Sequence, residues 1–423
     1  MAEFNPALLT LPSLAPSLAL ELLPRGLTIN KIFVQADGRT HDIVVGPENA
    51  TDHGKIKYHN SIVGRYSNRI PVGKHTIEKN GITAEADILP NIRVIAENNL
   101  VSLHGGPIGF DSLPFIQISP ATATLFSKAE LTSLSSLIPG DSSSSIWRLI
   151  SEDGDQGFPG KLTTEVLVGL VASNEPKQED GGESDLGSIV IIYRAKVEGK
   201  DGAKAVTPIN LTQHWGFNLD ASLKEDISAK GHNLTIKAAS VLERDALNLP
   251  TGNLPEVSGA HIHNGKKIGE SFPDEGYDDY YLLSSDAVAP IQKYIPLEQI
   301  TDPASSLDLL KAIVEAPSKN AVELKSEKSG LKLTFDSNQS GLQFYSYNWP
   351  DVNAPRKKIH GGSGDWDKGD GYVPGTAAMI EFHEPLSAFL YPSLQQNGDT
   401  TLLTSDEVYN NFVRLRVSTK HVV

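Results

Sequence analysis

The chain reads as a mostly antiparallel β protein, and three observations carry that reading. Short β-branched or alternating apolar runs recur along its whole length, clusters of Gly, Pro, Asn and Asp separate them, and amphipathic helical windows are few. The amino terminus, MAEFNPALLTLPSLAPSLALELLPRG, is apolar but has no basic start, carries Glu3 and Glu21, and is interrupted by Pro6, Pro12, Pro16 and Pro24. A packed arm or first strand is expected there rather than a cleaved signal. Strands are then expected at LTINKIFVQ, HDIVVG, NIRVIAE, KLTTEVLVGLVA, SIVIIYRAKV, NLTIKAASVL, LKLTFDS, LQFYSYNW and FVRLRVST. One short helix is expected in SSLDLLKAIVEA, where Asp or Ser can cap and Leu, Ile and Val recur at helical spacing.

Two segments read as surface insertions: one near 129–145 that ends in a serine run, and one near 174–188 that is acidic and glycine-rich. Neither separates two compositionally distinct halves and no internal repeat is visible, so residues 1–423 are expected to form a single domain.

Composition narrows the class of partner. A chain of 423 residues, 39% hydrophobic and 21% charged, is long enough for a large core. A formal net charge of −15 argues against nucleic acid, whose phosphates need clustered Lys and Arg. The absence of cysteine excludes disulfides, thiolate catalysis and cysteine-ligated zinc. No uncharged run free of proline approaches membrane-spanning length, so no membrane partner is expected. Sequons at Asn49, Asn210, Asn233 and Asn338 read as chance in the absence of a signal, and a cytoplasmic location is expected.

Several stretches hold polar residues where chemistry is possible. In NLTQHWGFNLD, a period of two puts Asn210, Thr212, His214, Gly216 and Asn218 on one face and Leu211, Trp215, Phe217 and Leu219 on the other. That face is either an outer, solvated one or the floor of a pocket, with Gly216 leaving room for approach. LVSLHGGPIGFD ends a strand-like run at His104 and turns at Gly105 and Gly106. YHNSIVGRYSNRIPVG supplies Arg65, Asn68 and Arg69, and PDEGYDDYYLL places Asp278 and Asp279 beside tyrosines. In GTAAMIEFHEP, Glu381 interrupts an apolar run, and a carboxylate there either faces a pocket or is costly to bury.

Blander readings stand beside these. His59, His75, His360 and His421 have polar flanks and are expected at the surface, and Arg65 can simply pair with a local carboxylate. HIH at 261–263 has two metal-ligand types but no third nearby, so no metal is expected. GGSGDWDKGDG matches neither EF-hand nor Walker spacing and reads as a surface loop.

Taken in order, GRYSNRI, LHGGPIGFD, SEDGDQGFPG, NLTQHWGFNL, GYDDYYLL, GLQFYSYN and MIEFHEP resemble the aldose 1-epimerase family, the galactose mutarotases, over most of residues 58–392. The resemblance implies a large antiparallel β-sandwich of the galactose mutarotase-like supersandwich type, with few short helices and one monosaccharide on its concave face. By motif position His214 corresponds to the family's general acid and Glu381 to its general base, with Glu384 as the alternative base. Asn68, Arg69, His104, Asp278 and Gln343 correspond to sugar-contacting positions.

The sequence departs from the family pattern at Trp215 and Gly216, at Asp279 and Tyr280, beyond GFD, and after Glu381. These changes leave the acid and base in place and bear on the substrate.

The implied activity is interconversion of the α and β anomers of an aldohexose such as glucose or galactose. It needs a base at the C1 hydroxyl and an acid at the ring oxygen, and no cofactor or metal. Trp215 alternates away from His214 and is expected in the core. Two other classes fit the same residues: a noncatalytic carbohydrate-binding protein on the same fold, and a glycoside hydrolase using Asp278 and Glu381 as paired carboxylates. A monomer or weak homodimer is expected.

Overall fold

The computed structural model describes residues 2–91, 99–173 and 182–420. Two antiparallel sheets dominate it. The larger has ten strands; its longest run neighbours Ser144–Ser151, Lys161–Val171, Glu183–Glu198, Glu407–Lys420 and Leu331–Ser337 in that order. The smaller has five: Gly216–Phe217, Ala378–His383, Gly341–Tyr345, Asp278–Leu283 and Ala238–Val241. A four-stranded amino-terminal sheet, Ala7–Thr10, Leu18–Leu23, Thr28–Ala36 and Arg39–Asp42, completes the wall.

The principal core lies between these layers. Leu333, Phe335, Leu415 and Val417 of the large sheet, Phe217, Phe344, Ile380 and Phe382 of the small one, and Leu20 and Ile32 of the amino-terminal sheet belong to one buried cluster. Inward-facing residues of two packed sheets make this kind of core, so the expected β-sandwich is what forms.

Most expected strands stand. LKLTFDS coincides with Leu331–Ser337, and the amino-terminal arm forms strands. NLTIKAASVL supplies one strand to each sheet, Asn233–Ile236 to the large and Ala238–Val241 to the small. HDIVVG differs: the regular strand stops at Asp42, and the chain crosses to the small sheet through a Val44–Phe217 bridge and the Val45 N–H on the Gly216 carbonyl, 3.0 Å. NIRVIAE lies largely outside the described residues.

Two helices cover the outer face of the large sheet. The expected one is α2, Leu309–Glu315, capped by Asp308, whose side chain accepts from the Lys311 N–H at 2.8 Å. The other, α1, spans Lys128–Leu137, inside the segment expected to be a surface insertion. It has a capping box between Ser127 and Glu130, and Leu134 reaches a satellite core shared with Ile138, Leu310 and Ile313. The serine run that follows enters the strand Ser144–Ser151. Segment 129–145 is therefore part of the outer layer.

Buried arginines hold both helices to the sheet. Arg194 donates to Glu130 at 2.7 Å and to the Leu125 carbonyl at 2.9 Å. Arg414 donates to Asp336 at 2.7 Å and to the Ala316 carbonyl at 2.7 Å. Of the second expected insertion, 174–181 lies outside the described residues, and from Glu183 onward the chain is regular strand. Among the described residues no helix is long and apolar enough to cross a membrane.

Candidate active site

The small sheet's register builds the site. Gly341–Tyr345 lies between Ala378–His383, with Gln343 opposite Glu381 and Tyr345 opposite Met379, and Asp278–Leu283, with Asp278 opposite Tyr345. Strand alternation sends Ile380 and Phe382 into the core and leaves Glu381 on the opposite face. A cavity of about 400 Å³ opens over that face, and Asn68, Arg69, His104, His214, Asp278, Gln343 and Glu381 all line it. All seven residues expected from sequence therefore meet, from six separate stretches of chain.

His214 sits between two short strands, its backbone N–H on the Ser61 carbonyl and its own carbonyl accepting from the Asn60 N–H, both 2.8 Å. Its Nε2 lies 3.2 Å from Glu381 Oε1; the glutamate side chain is 2% exposed and the imidazole 10%. The face shared by Asn210, Thr212, His214, Gly216 and Asn218 is thus buried rather than solvated. Gly216 does not make room for a ligand. A Cβ there would lie 2.9 Å from the Met379 thioether, so the close approach is by the neighbouring strand.

His104 is placed by an unusual backbone. It has φ +51°, in the left-handed region, as does Asn68 at φ +61°. The turn after it needs glycine: a Cβ on Gly105, at φ +85°, would lie 1.8 Å from the Gly64 carbonyl oxygen. The Asn68 N–H donates to His104 Nδ1 at 3.1 Å. Accepting there puts the proton of the neutral imidazole on Nε2 and makes that nitrogen a donor.

A directed chain of hydrogen bonds spans the floor. Arg69 donates to Asn68 Oδ1 at 3.3 Å, Asn68 Nδ2 to Gln343 Oε1 at 3.1 Å, and Gln343 Nε2 to Asp278 Oδ1 at 2.7 Å. Arg244 holds the far end, 3.7 Å from Asp278 Oδ2.

Burial pushes the Glu381 carboxyl well above the usual range; the Asp278 carboxylate adds to this and Arg69 opposes it. Burial pushes His214 down to about 4, against smaller upward effects of a backbone hydrogen bond and of Asp278. His104 is lowered well below 6.5 by burial, with His214 and Arg69 adding to it. Burial thus works against the charged form of both members of the Glu381–His214 pair.

Ligand atoms of His104, His214 and Glu381 lie within 4.8 Å of one another, a spacing that can hold a metal ion. The donor set does not fit one, because the free nitrogen of His104 carries a proton. At HIH, His261 Nδ1 and His263 Nε2 both contact the Tyr281 hydroxyl, at 2.9 and 3.1 Å. A larger cavity, about 620 Å³, lies beside α1, but Asp141 is its sole acidic or basic lining residue.

Glu384, the alternative base, does not line the cavity; it pairs with Lys293 and accepts from Ser340 Oγ at 2.5 Å and from the Ser340 N–H at 3.0 Å. Among the described residues Arg65 makes no ion pair with a carboxylate but donates to the carbonyls of Ser151, Glu152 and Gly160 at 2.9, 2.7 and 2.8 Å. His360 is not at the surface: it is fully buried between the Tyr372 hydroxyl and the Asp42 carbonyl, at 2.8 and 2.7 Å. His59 lines the cavity, edge-on to Tyr347, with its imidazole pushed down to about 3 by burial. His75 is half-buried and bonds the Pro71 carbonyl at 2.8 Å, and His421 lies outside the described residues.

Sequence reasoning missed the aromatic wall. Tyr58, Tyr345, Tyr347 and Trp349 line the cavity, and three of them follow Gln343 at intervals of two. That alternation was the available signal.

The β-sandwich thus carries a histidine and a glutamate at the floor of a polar, aromatic-walled cavity. The pattern of the Aldose 1-epimerase family matches residues 187–377. The chain is 28% identical to a galactose mutarotase of Bos taurus over 274 residues, covering 63% of this chain and 64% of that one. It is 26% identical to the Homo sapiens galactose mutarotase over 350 residues, 80% and 85% of the two chains, and 26% identical to the Escherichia coli K12 aldose 1-epimerase over 262 residues, 59% and 60%. The chain thus spans just under two thirds of the bovine relative's length.

Two solved structures share the fold along 99% of both chains: an aldose epimerase homologue from C. elegans, with a TM-score of 0.67 at 18% identity, and a galactose 1-epimerase from Lactobacillus acidophilus, with 0.63 at 17%. Over these stretches the chain is similar to the aldose 1-epimerase family.

Proposed function

We propose that this protein is an aldose 1-epimerase that interconverts the α and β anomers of a free aldohexose such as glucose or galactose. The observation that carries the reading is the buried His214–Glu381 contact of 3.2 Å at the floor of a sugar-sized cavity. In the step, Glu381 takes the C1 hydroxyl proton while His214 gives one to the ring oxygen, and the C1–O5 bond breaks to leave the open aldehyde. Rotation about C1–C2 presents the other carbonyl face, and the ring closes with both protons returned.

The pair needs no net proton exchange with water. It begins with one proton on His214, which goes to the ring oxygen, and ends the opening step with one on Glu381, taken from the C1 hydroxyl. Asp278 accepts from sugar hydroxyls, Arg69 and His104 Nε2 donate to sugar oxygens, and Asn68 and Gln343 fix their geometry. The reading carries with it no cofactor and a cytoplasmic monomer or weak homodimer.

Polarimetry on freshly dissolved α-D-glucose and α-D-galactose tests it. Wild-type protein should speed relaxation to the unchanged final rotation, and Glu381→Gln and His214→Asn should each lose about 10²–10⁴-fold of that acceleration. No acceleration with either sugar would sink the proposal in favour of a noncatalytic sugar-binding protein.

A further inference from the structure

Asp278 opens its strand and lines the cavity, whereas the next residue, Asp279, points to the other side of the strand and does not. Arg244 reaches both. The strand Ala238–Val241 pairs Val241 with Tyr281, and Leu242 continues the pairing with its N–H on the Tyr280 carbonyl at 2.9 Å. Two residues further along that line Arg244 comes level with Asp278. A turn on Asp245, whose Oδ1 accepts from the Leu247 and Leu249 N–H groups at 2.8 and 3.0 Å, closes the segment behind it. Arg244 Nη2 donates to the Asp278 carbonyl, Nη1 lies 3.7 Å from Asp278 Oδ2, and Nη2 lies 3.8 Å from Asp279 Oδ1.

With a single carboxylate, an arginine closes to a fork at about 2.7–2.9 Å. Arg244 instead stands between two carboxylates, beyond hydrogen-bond reach of either, and among the described residues its buried Nη1 has no hydrogen-bond partner. Asp279 is tied to the guanidinium in turn: burial raises its carboxyl above the ordinary value, and His261 and Arg244 oppose the rise. The consequence falls on Asp278. Its Oδ1 is taken by Gln343 at 2.7 Å, so Oδ2 is the oxygen left for a ligand. We propose that Asp279 is a positioning residue: it draws Arg244 toward itself and so keeps the guanidinium from closing on Asp278 Oδ2, which stays open to a substrate hydroxyl. This rests on the reading above in which Asp278 accepts from the sugar. Asp279 is also one of the positions at which the sequence leaves the family pattern, so the balance is this chain's own.

Exchanging Asp279 for its isosteric amide removes the pull without removing volume. In a crystal structure of Asp279→Asn, Arg244 Nη1 should close on Asp278 Oδ2 to about 2.8 Å. A gap that stays at 3.7 Å would overturn the proposal. Calorimetric titration with D-glucose and D-galactose reads the consequence: Asp279→Asn should weaken binding about five- to tenfold, and Asp279→Glu should keep most of the affinity. In an Arg244→Leu background the same Asp279→Asn exchange should change Kd by less than about twofold, because no guanidinium remains to close. An equal loss in both backgrounds would mean that Asp279 acts on the fold and not through Arg244, which also overturns the proposal. Asp278→Asn separates this inference from the reading beneath it. Sugar affinity that is absent from the wild type, or insensitive to Asp278, sinks the assignment of Asp278, while the gap in the Asp279→Asn crystals still decides whether Asp279 holds Arg244 away.

Discussion

Two buried glutamates three residues apart meet opposite fates. Glu384 is fully engaged: Lys293 and both donors of Ser340 hold it, and Lys293 also reaches Asp399 at 3.3 Å. Burial works against the Lys293 charge, yet Glu384 and Asp399 outweigh it and raise the lysine above its usual value. Burial, helped by Asp399, keeps Glu384 high even so, because two carboxylates there share one ammonium. Glu381 is equally buried, but its charged partners are a histidine and the more distant Asp278 and Arg69, and it faces a cavity. Burial alone does not mark a functional carboxylate; burial with bonding capacity left over does.

Exchanging each carboxylate for its amide draws this distinction most sharply. Glu381→Gln should abolish anomer exchange while moving stability by less than about 1 kcal/mol, since no buried cation loses its partner. Glu384→Gln should do the reverse. It should cost about 3 kcal/mol in urea unfolding, because Lys293 keeps only Asp399, and leave kcat of the folded fraction within a few-fold of wild type. Equal stability losses in the two variants would erase the contrast.

The pH profile probes the cavity pair alone. Activity needs one proton on the pair, so kcat/KM should fall on the acid side as pH drops toward about 4, where His214 takes up a second proton, and not near 6.5. On the alkaline side it should fall only above the ordinary carboxylate range, once Glu381 gives up the shared proton. The Asp278 charge helps raise Glu381, so Asp278→Asn should move the alkaline limb to lower pH. An acid limb near 6.5 would show that His214 titrates as if exposed.

The smallest effect is expected at the hydrogen-bond chain. Gln343→Leu removes the acceptor of Asn68 Nδ2 and the donor to Asp278 Oδ1, and KM should rise about tenfold with little change in kcat. A larger fall in kcat than rise in KM would place Gln343 in the chemical step.

Local pattern made much of this legible. Alternation marked Glu381 as facing away from Ile380 and Phe382, and put Trp215 in the core. A capping aspartate before a helical repeat located α2. What stayed hidden depends on distant chain. His360 has polar neighbours in sequence, yet it is buried because its partners, Tyr372 and the Asp42 carbonyl, come from other loops. Arg65 looked like half of an ion pair because nothing near it foretells that the carbonyls of 151–160 converge on it. The segment around α1 looked loose because it runs on into a serine run, while Glu130 reaches a buried arginine on a strand of the large sheet.

The hydrogen-bond chain across the floor gives the cavity a sense of direction. From Arg69 through Asn68 and Gln343 to Asp278 every amide points the same way, with its oxygen toward Arg69 and its nitrogen toward Asp278. A hydroxyl at one end is asked to receive a proton and at the other to give one. Neither amide can turn over without breaking both of its bonds. A molecule lying the other way round would meet the same atoms in the wrong order, so the floor distinguishes one orientation along its length from the reverse.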